Sequence, residues 1–94
     1  MFSKTFTLLF FIIQPIITYT TYDRVVTVLV SKLEIKKEAI TPKSSLVGLG
    51  ADDLAVVEIT MALEKEFNIN IPDDDQEQLR TVEMIVEYVD KHKY

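Results

Sequence analysis

The chain has 94 residues, enough for one small domain with a modest core, because a domain of this size buries only about 60% of its unfolded surface. It contains no cysteine, which excludes a disulfide framework and a thiolate metal site. Residues 1–47 hold six basic and three acidic residues, whereas residues 48–94 hold four basic and twelve acidic ones. This acidic second half argues against nucleic-acid binding and favours basic protein partners.

Residues 1–20 differ in composition from the rest of the chain. They contain one charged residue, Lys4, and an apolar run from Leu8 to Ile13 that is soon interrupted by Pro15. The run is too short for a single membrane span, which needs about 20 apolar residues. Three interpretations are open: a secretory or plastid-type leader, a mitochondrial presequence, which should be richer in arginine, or a retained hydrophobic arm that contacts a membrane or a neighbouring subunit. We favour the retained arm and place the folded domain at residues 21–94.

A first helix is predicted after residue 20. Thr20 or Thr21 can serve as its N-cap, and Asp23 suits its first turn. Apolar residues then recur at helical spacing: Val25, Val28, Leu29 and Leu33. The many β-branched residues of this stretch would also suit a strand, so these residues alone leave helix and strand open. A charged turn over residues 34–43 leads on to a loop.

The stretch from Gly48 to Phe67 predicts a second helix that begins after a glycine-bracketed turn. The short side chain of Asp52 suits the N-cap, so Asp53 is expected to be the first helical residue. Two apolar stripes follow, the first formed by Leu54, Val57 and Met61, the second by Ile59, Leu63 and Phe67. One small core requires only one of these apolar stripes, which leaves the other for the outward surface. Three glutamates lie beside them, so we expect an outward surface that is acidic and partly apolar: Glu58, Glu64 and Glu66.

Two shorter elements are predicted after Phe67. Residues 73–79 can form one or two turns, and Thr81 can cap a last helix with an inward apolar stripe. We interpret the acidic triplet at 73–75 as a solvated helix start rather than a calcium site, because the spacing of an EF-hand is absent. His92 is interpreted as a solvated residue near the chain end.

Residues 22–93 resemble the acyl carrier protein family. The matching positions are Gly50, Asp52, Leu54, Val57-Glu58, the run Met61-Ala62-Leu63-Glu64-Lys65-Glu66-Phe67, Ile71-Pro72-Asp73 and Thr81-Val82. The resemblance implies an all-α fold, a four-helix bundle of three main helices and one short helix, and it favours a helix for the first element. The chain departs from the family pattern at Asp53, where the family carries the serine that takes the 4′-phosphopantetheine arm.

This departure predicts a non-catalytic, carrier-like subunit that has no prosthetic group. A carboxylate cannot form the stable linkage that the serine hydroxyl forms, and Ser44 and Ser45 lie too early in the preceding loop to replace it. We therefore expect Asp53 to be unmodified, since 4′-phosphopantetheine is implied only for a serine at this position. The second helix would instead bind partners in a structural or assembly role.

The resemblance also implies the kind of partner. Family members are bound through the second helix by basic helical proteins, either carrier-binding enzymes or, in mitochondria, small LYR-type proteins. We expect this chain to be part of a larger assembly, a mitochondrial respiratory complex in the first place, with a plastid as the alternative location. The predicted contact residues are Asp52, Leu54, Val57, Glu58, Met61, Glu64 and Glu66.

Other interpretations remain for these residues and for the chain. Val57 and Met61 could belong to the core, and the glutamates could form an ordinary solvated face. The chain could also be a working acyl carrier of fatty acid or lipid synthesis. An enzyme is disfavoured, because the sequence has no nucleophile–base pair, metal cluster or phosphate-binding glycine loop.

The core is predicted from the inward stripes and from apolar residues in the connections. A cleft beside the second helix could be collapsed or filled by a partner side chain, and the sequence leaves this open. The side chains expected to be mostly buried are Val25, Val28, Leu29, Leu33, Ile40, Leu46, Leu49, Ile59, Leu63, Phe67, Ile71, Leu79, Val82, Ile85 and Val89.

Overall fold

Residues 20–93, the part of the chain that the computed structural model describes, contain three α-helices and two short 3₁₀ helices. In chain order they are helix α1 (Thr21–Leu33), a first 3₁₀ helix (Lys37–Ala39), helix α2 (Asp53–Phe67), a second 3₁₀ helix (Asp73–Leu79) and helix α3 (Val82–His92). The predicted bundle of three main helices and one short helix is confirmed. The arm predicted at residues 1–20 lies, apart from Thr20, outside the described residues. Of the helices described, none is long and apolar enough to cross a membrane.

Helix α1 begins with a reciprocal cap. The Thr20 hydroxyl accepts a hydrogen bond from the Asp23 backbone N–H at 3.2 Å, and the Asp23 carboxylate accepts one from the Thr20 N–H at 3.1 Å. Both donors would otherwise lack a partner at the helix start. Val25 and Leu29 are fully buried, because α1 packs against both α2 and α3. The valine-rich stretch is therefore a helix, and tertiary packing overrides its β propensity.

Removal of the Thr20 hydroxyl is expected to destabilise the domain. A Thr20→Ala variant loses one half of the reciprocal cap, so its free energy of unfolding should fall by about 1 kcal/mol. Urea unfolding followed by circular dichroism measures the change. Ser31→Ala is the matched control, because Ser31 is an exposed residue of the same helix and its hydroxyl forms no hydrogen bond within residues 20–93. Equal stability of the two variants would contradict the capping role.

The core lies where α1, α2 and α3 meet. Most of the predicted residues are buried, including Ile59 and Leu63 of α2 and Ile85 of α3, which are at most 1% exposed. Leu33 and Leu49 are less enclosed than the others, since both are partly buried and pack against the edge of the core. Leu33 is the last residue of α1 and Leu49 lies in the turn before α2, so neither is enclosed by helices on every side. The buried residues not predicted are Val26, Ala51, Thr60 and Tyr88.

The long loop before α2 is fixed to the start of α3. The Leu46 N–H donates to the Arg80 carbonyl at 3.0 Å, and the Val82 N–H donates to the Ser44 carbonyl at 2.9 Å. Two glycines then allow the tight turn: a Cβ on Gly48 would lie 2.8 Å from the Ser45 hydroxyl oxygen, and Gly50 has a φ of +99°. The loop therefore fixes the position at which α2 begins.

The second 3₁₀ helix is attached to its neighbours by side-chain hydrogen bonds. The Tyr88 hydroxyl donates to the Asp75 carboxylate at 2.6 Å, and the Thr60 hydroxyl contacts the Gln76 amide oxygen at 3.3 Å. Burial, together with the Asp75 acceptor, raises the pKa of Tyr88 to about 12. The interpretation of the 73–75 triplet as wholly solvated is thus wrong for Asp75, which is half-buried. His92 is exposed, and its ring stacks on Tyr88 with 4.0 Å between centroids.

Candidate functional site

The start of α2 carries two adjacent aspartates with different roles. Asp52 is the N-cap, and its carboxylate accepts a hydrogen bond from the Ala55 N–H at 2.8 Å. Asp53 is the first residue of the helix and is exposed, and within residues 20–93 its carboxylate has no hydrogen bond or ion pair. A negative charge in the first turn interacts favourably with the helix dipole. Asp53 therefore presents a free carboxylate to solvent at the head of the helix.

One apolar stripe of α2 faces solvent. Leu54 is 66% exposed, Val57 54% and Met61 62%, whereas Leu63 on the opposite side is fully buried. The alternative that Val57 and Met61 belong to the core is therefore wrong. Burial of such side chains is favourable by about 1.5–3 kcal/mol each when complete, so this stripe is a surface that gains from being covered.

The three glutamates of α2 are in different environments. Glu58 is exposed and has no partner among the described residues. Glu64 is half-buried, and its carboxylate accepts a hydrogen bond from the Ile71 N–H at 2.8 Å, which holds the connector after α2. Glu66 forms an ion pair with Arg24 of α1 at 2.9 Å, and the Arg24 guanidinium also lies over the Phe67 ring at 4.4 Å. The contacts of Glu64 and Glu66 could not be found from the helical spacing of α2, because their partners lie outside that helix.

The structure therefore brings together only some of the predicted contact residues on one free surface. Its apolar residues lie on one face with the unpaired carboxylates of Asp53 and Glu58. The carboxylates of Asp52, Glu64 and Glu66 are already engaged within the chain. A partner consequently meets free negative charge mainly on the first half of α2.

Two open grooves flank the exposed stripe. One, of about 700 Å³, lies between α1 and α2 over Val28, Met61 and Ala62. The other, of about 480 Å³, lies between α2 and the second 3₁₀ helix and is lined by Asp53, Val57, Met61 and Ile71 among others. Met61 borders both grooves. Within residues 20–93, no group of histidine, aspartate and glutamate side chains could hold a metal ion.

Comparison with known proteins agrees with this architecture. Residues 23–89 match the family model described as phosphopantetheine attachment site. The chain is also 46% identical over 71 residues to the acyl carrier protein of Syntrophobacter fumaroxidans (strain DSM 10017 / MPOB), an alignment that covers 74% of this chain and 88% of that protein. The helical bundle with its exposed second helix is thus a domain of the carrier type. The chain belongs to the acyl carrier protein family, whose members are carriers rather than catalysts.

The residues at the head of α2 do not fit a covalently attached phosphopantetheine arm. The arm requires a free hydroxyl there, and Asp53 offers a carboxylate. The Ser44 and Ser45 hydroxyls accept hydrogen bonds inside the loop, from the Thr41 and Gly48 N–H groups, both at 2.9 Å. Thr60 is buried and donates to the Val56 carbonyl at 2.9 Å. None of these hydroxyls is free at the start of the helix.

Proposed function

We propose that this protein is a non-catalytic member of the acyl carrier protein family that works without a prosthetic group, as a structural or assembly subunit. The observation that carries the proposal is the exposed carboxylate of Asp53 at the first position of α2, with no free hydroxyl beside it. The Asp52 carboxylate still caps α2, so the start of the helix is kept while the residue at its attachment point is chemically altered.

The retained function would be protein binding through α2. Its exposed face combines the apolar side chains of Leu54, Val57 and Met61 with the unpaired carboxylates of Asp53 and Glu58. An apolar centre with a charged rim is typical of protein docking surfaces. The partner should therefore be a basic helical protein, such as an LYR-type or carrier-binding protein, that places apolar side chains over Met61 and basic ones near Glu58.

The wider setting is part of the proposal. We place the chain in a larger complex, a mitochondrial respiratory complex in the first place and a plastid assembly as the alternative. The hydrophobic N-terminal segment would then contact a membrane or a neighbouring subunit. Nucleic acid is not an expected partner, because the face of α2 is acidic and would repel phosphate.

A second candidate function is a working acyl carrier of fatty acid or lipid synthesis. The observation that favours it is the 46% identity to a protein named acyl carrier protein. The two functions differ in one covalent bond, the one that would join the 4′-phosphopantetheine arm to α2. Incubation of the full chain with coenzyme A and a promiscuous phosphopantetheinyl transferase, followed by intact mass measurement, tests this bond. An unchanged mass supports the assembly role, and a gain that maps to α2 overturns it.

Charge reversal at Glu58 is expected to weaken partner binding strongly. Glu58→Lys places a positive charge opposite basic partner residues, so recovery of the partner with tagged protein from its own cells should fall at least about tenfold, which corresponds to about 1.4 kcal/mol. The remaining binding should weaken with ionic strength, since salt screens exposed charges beyond about 8 Å under physiological conditions.

The control for this experiment is Glu87→Lys, because Glu87 is an exposed residue of α3 without a partner among the described residues. Glu64 is less suitable for reversal, since a lysine there would also release the Ile71 N–H. Equal loss of binding in the Glu58 and Glu87 variants would point to net charge rather than to the α2 face.

A further inference from the structure

We infer that the exposed face of α2 also binds a second copy of this chain, in an antiparallel, two-fold symmetric contact centred on Met61. Such self-association goes beyond the assembly role proposed above, because here the face is covered by another copy of the same chain. It does not depend on the residue at position 53, so it holds for the assembly role and for a working carrier alike. What supports it is the order of charged and apolar side chains along α2.

One side of α2 carries an acidic residue, an apolar centre and a basic residue in that order. Glu58, Met61 and Lys65 line the same groove between α1 and α2, so their side chains lie on one side of the helix. All three residues are exposed, and neither charged side chain has a hydrogen bond or an ion pair within residues 20–93. The two charges are seven residues apart, about 10 Å along the helix. α2 therefore presents one free charge of each sign on either side of an exposed methionine.

This order of side chains is complementary to its own reverse. When a second α2 runs in the opposite direction and the two Met61 side chains meet at the two-fold axis, Glu58 of each copy lies opposite Lys65 of the other. The match arises because Glu58 is three residues before Met61 and Lys65 is four residues after it. The contact then contains the same ion pair twice, as a two-fold interface requires. An exposed ion pair contributes little alone, but here two form together with the burial of an apolar centre.

The other charges of the groove favour a second copy over a uniformly basic surface. Lys32 of α1 also lines the groove, is exposed, and has no partner within residues 20–93, whereas Glu66 is already paired with Arg24 at 2.9 Å. The free charges at this groove are thus two lysines and one glutamate. A uniformly basic surface would satisfy Glu58 but meet like charge at Lys32 and Lys65. A second α2 supplies opposite charge to both signs.

The contact is small, so the dimer should be weak. Its apolar part is formed by Met61, which is 62% exposed, with Val57, 54% exposed, one turn before it. One helix face from each copy covers less than the roughly 1,200 Å² at which stable protein interfaces begin. We therefore expect dimerisation at micromolar to millimolar concentrations of the chain. A partner that binds α2 more tightly would replace the second copy, because both use Glu58 and Met61.

Sedimentation velocity of the full chain over a range of concentrations tests the dimer. The unaltered chain should show a concentration-dependent dimer. Glu58→Lys and Lys65→Glu should each raise the dissociation constant at least about tenfold, because each turns two attractive pairs into two repulsive ones. An equimolar mixture of these two variants should dimerise again, since one chain then has two positive charges at positions 58 and 65 and the other has two negative ones.

Glu87→Lys is the matched control, because Glu87 is exposed on α3 and its reversal changes the net charge equally. It should dimerise like the unaltered chain. Three results would overturn the inference: an unaltered chain that stays monomeric throughout, single variants that associate as strongly as the unaltered chain, or a mixture that stays monomeric. The second of these would assign the association to another part of the chain.

The Lys65→Glu variant separates self-association from partner binding. It should lose the dimer, but its recovery of the partner should not fall, because it adds negative charge to a face that a basic partner contacts. A dimer without any recovered partner would count against the proposed assembly role alone. A recovered partner without any dimer would count against self-association alone.

Disulfide formation tests the register of the contact. The chain has no cysteine, so one introduced thiol reports on one position. Met61→Cys should form disulfide-linked dimers on air oxidation, because the two positions meet at the two-fold axis. Leu54→Cys is the matched control: Leu54 is 66% exposed on the same helix, but its two copies would lie about 22 Å apart along the antiparallel helices, beyond the reach of a disulfide. Equal yields of linked dimer from the two variants would indicate random collision and overturn the proposed contact.

Discussion

Replacement of Asp53 with serine is expected to convert a protein that rejects the 4′-phosphopantetheine arm into one that accepts it. A hydroxyl oxygen forms a phosphodiester that is stable in water, whereas a carboxylate forms an acyl phosphate, the short-lived kind of intermediate that aspartate makes in phosphoryl transfer. The rest of the helix start is already formed, with Asp52 as the cap and Leu54 exposed beside it. The measurement is intact mass after incubation with coenzyme A and a promiscuous transferase.

Two controls separate the chemistry of the hydroxyl from its position. Asp53→Asn removes the charge without adding a hydroxyl, and Asp52→Ser adds a hydroxyl one residue earlier, at the cap that binds the Ala55 N–H. Neither should gain mass. Asp53→Ser loses a favourable dipole interaction of only about 0.3–1 kcal/mol, so it should remain folded by circular dichroism. A folded Asp53→Ser protein that stays unmodified would contradict the expectation that the transferase surface survives.

The start and the faces of α2 illustrate what local sequence determines. A capping side chain acts within three residues, and the inward stripe repeats with the helical period, so Asp52 and Leu63 could be placed from spacing alone. The same spacing showed that α2 has a second apolar stripe. Only the packing shows that this stripe is left uncovered, because exposure depends on which neighbours the bundle places against each side.

The contacts that sequence reasoning missed join different segments of the chain. Arg24 and Glu66 are separated by 42 residues, and they can pair because α1 packs against α2. The Tyr88 hydroxyl reaches Asp75 because α3 packs against the second 3₁₀ helix. Periodicity gives the face of one helix, but it contains no information about the register between two. For this reason the division of the acidic residues into engaged and free carboxylates required the structure.

Leu63→Ala and Met61→Ala are expected to differ greatly in stability although the two residues are neighbours in α2. Leu63 is fully buried, so its truncation leaves a cavity and should lower the free energy of unfolding by about 2–5 kcal/mol. In a domain of this size each kcal/mol corresponds to about 4–8 °C in the melting temperature. Met61 is 62% exposed, and its truncation should change stability by no more than about 0.5 kcal/mol.

Partner binding should show the opposite order, because Met61 borders both grooves and belongs to the face that we propose is covered. Met61→Ala should keep its melting temperature but bind less partner. Any loss of partner binding in Leu63→Ala should match the fraction of that variant that is unfolded, and binding should return under conditions that stabilise the fold. Urea unfolding gives the order of the two variants in stability, and partner recovery from the same preparations gives their order in binding. If truncation of Met61 destabilised the domain as much as truncation of Leu63, the uncovered stripe would be core, and a docking role for α2 would lose its physical basis.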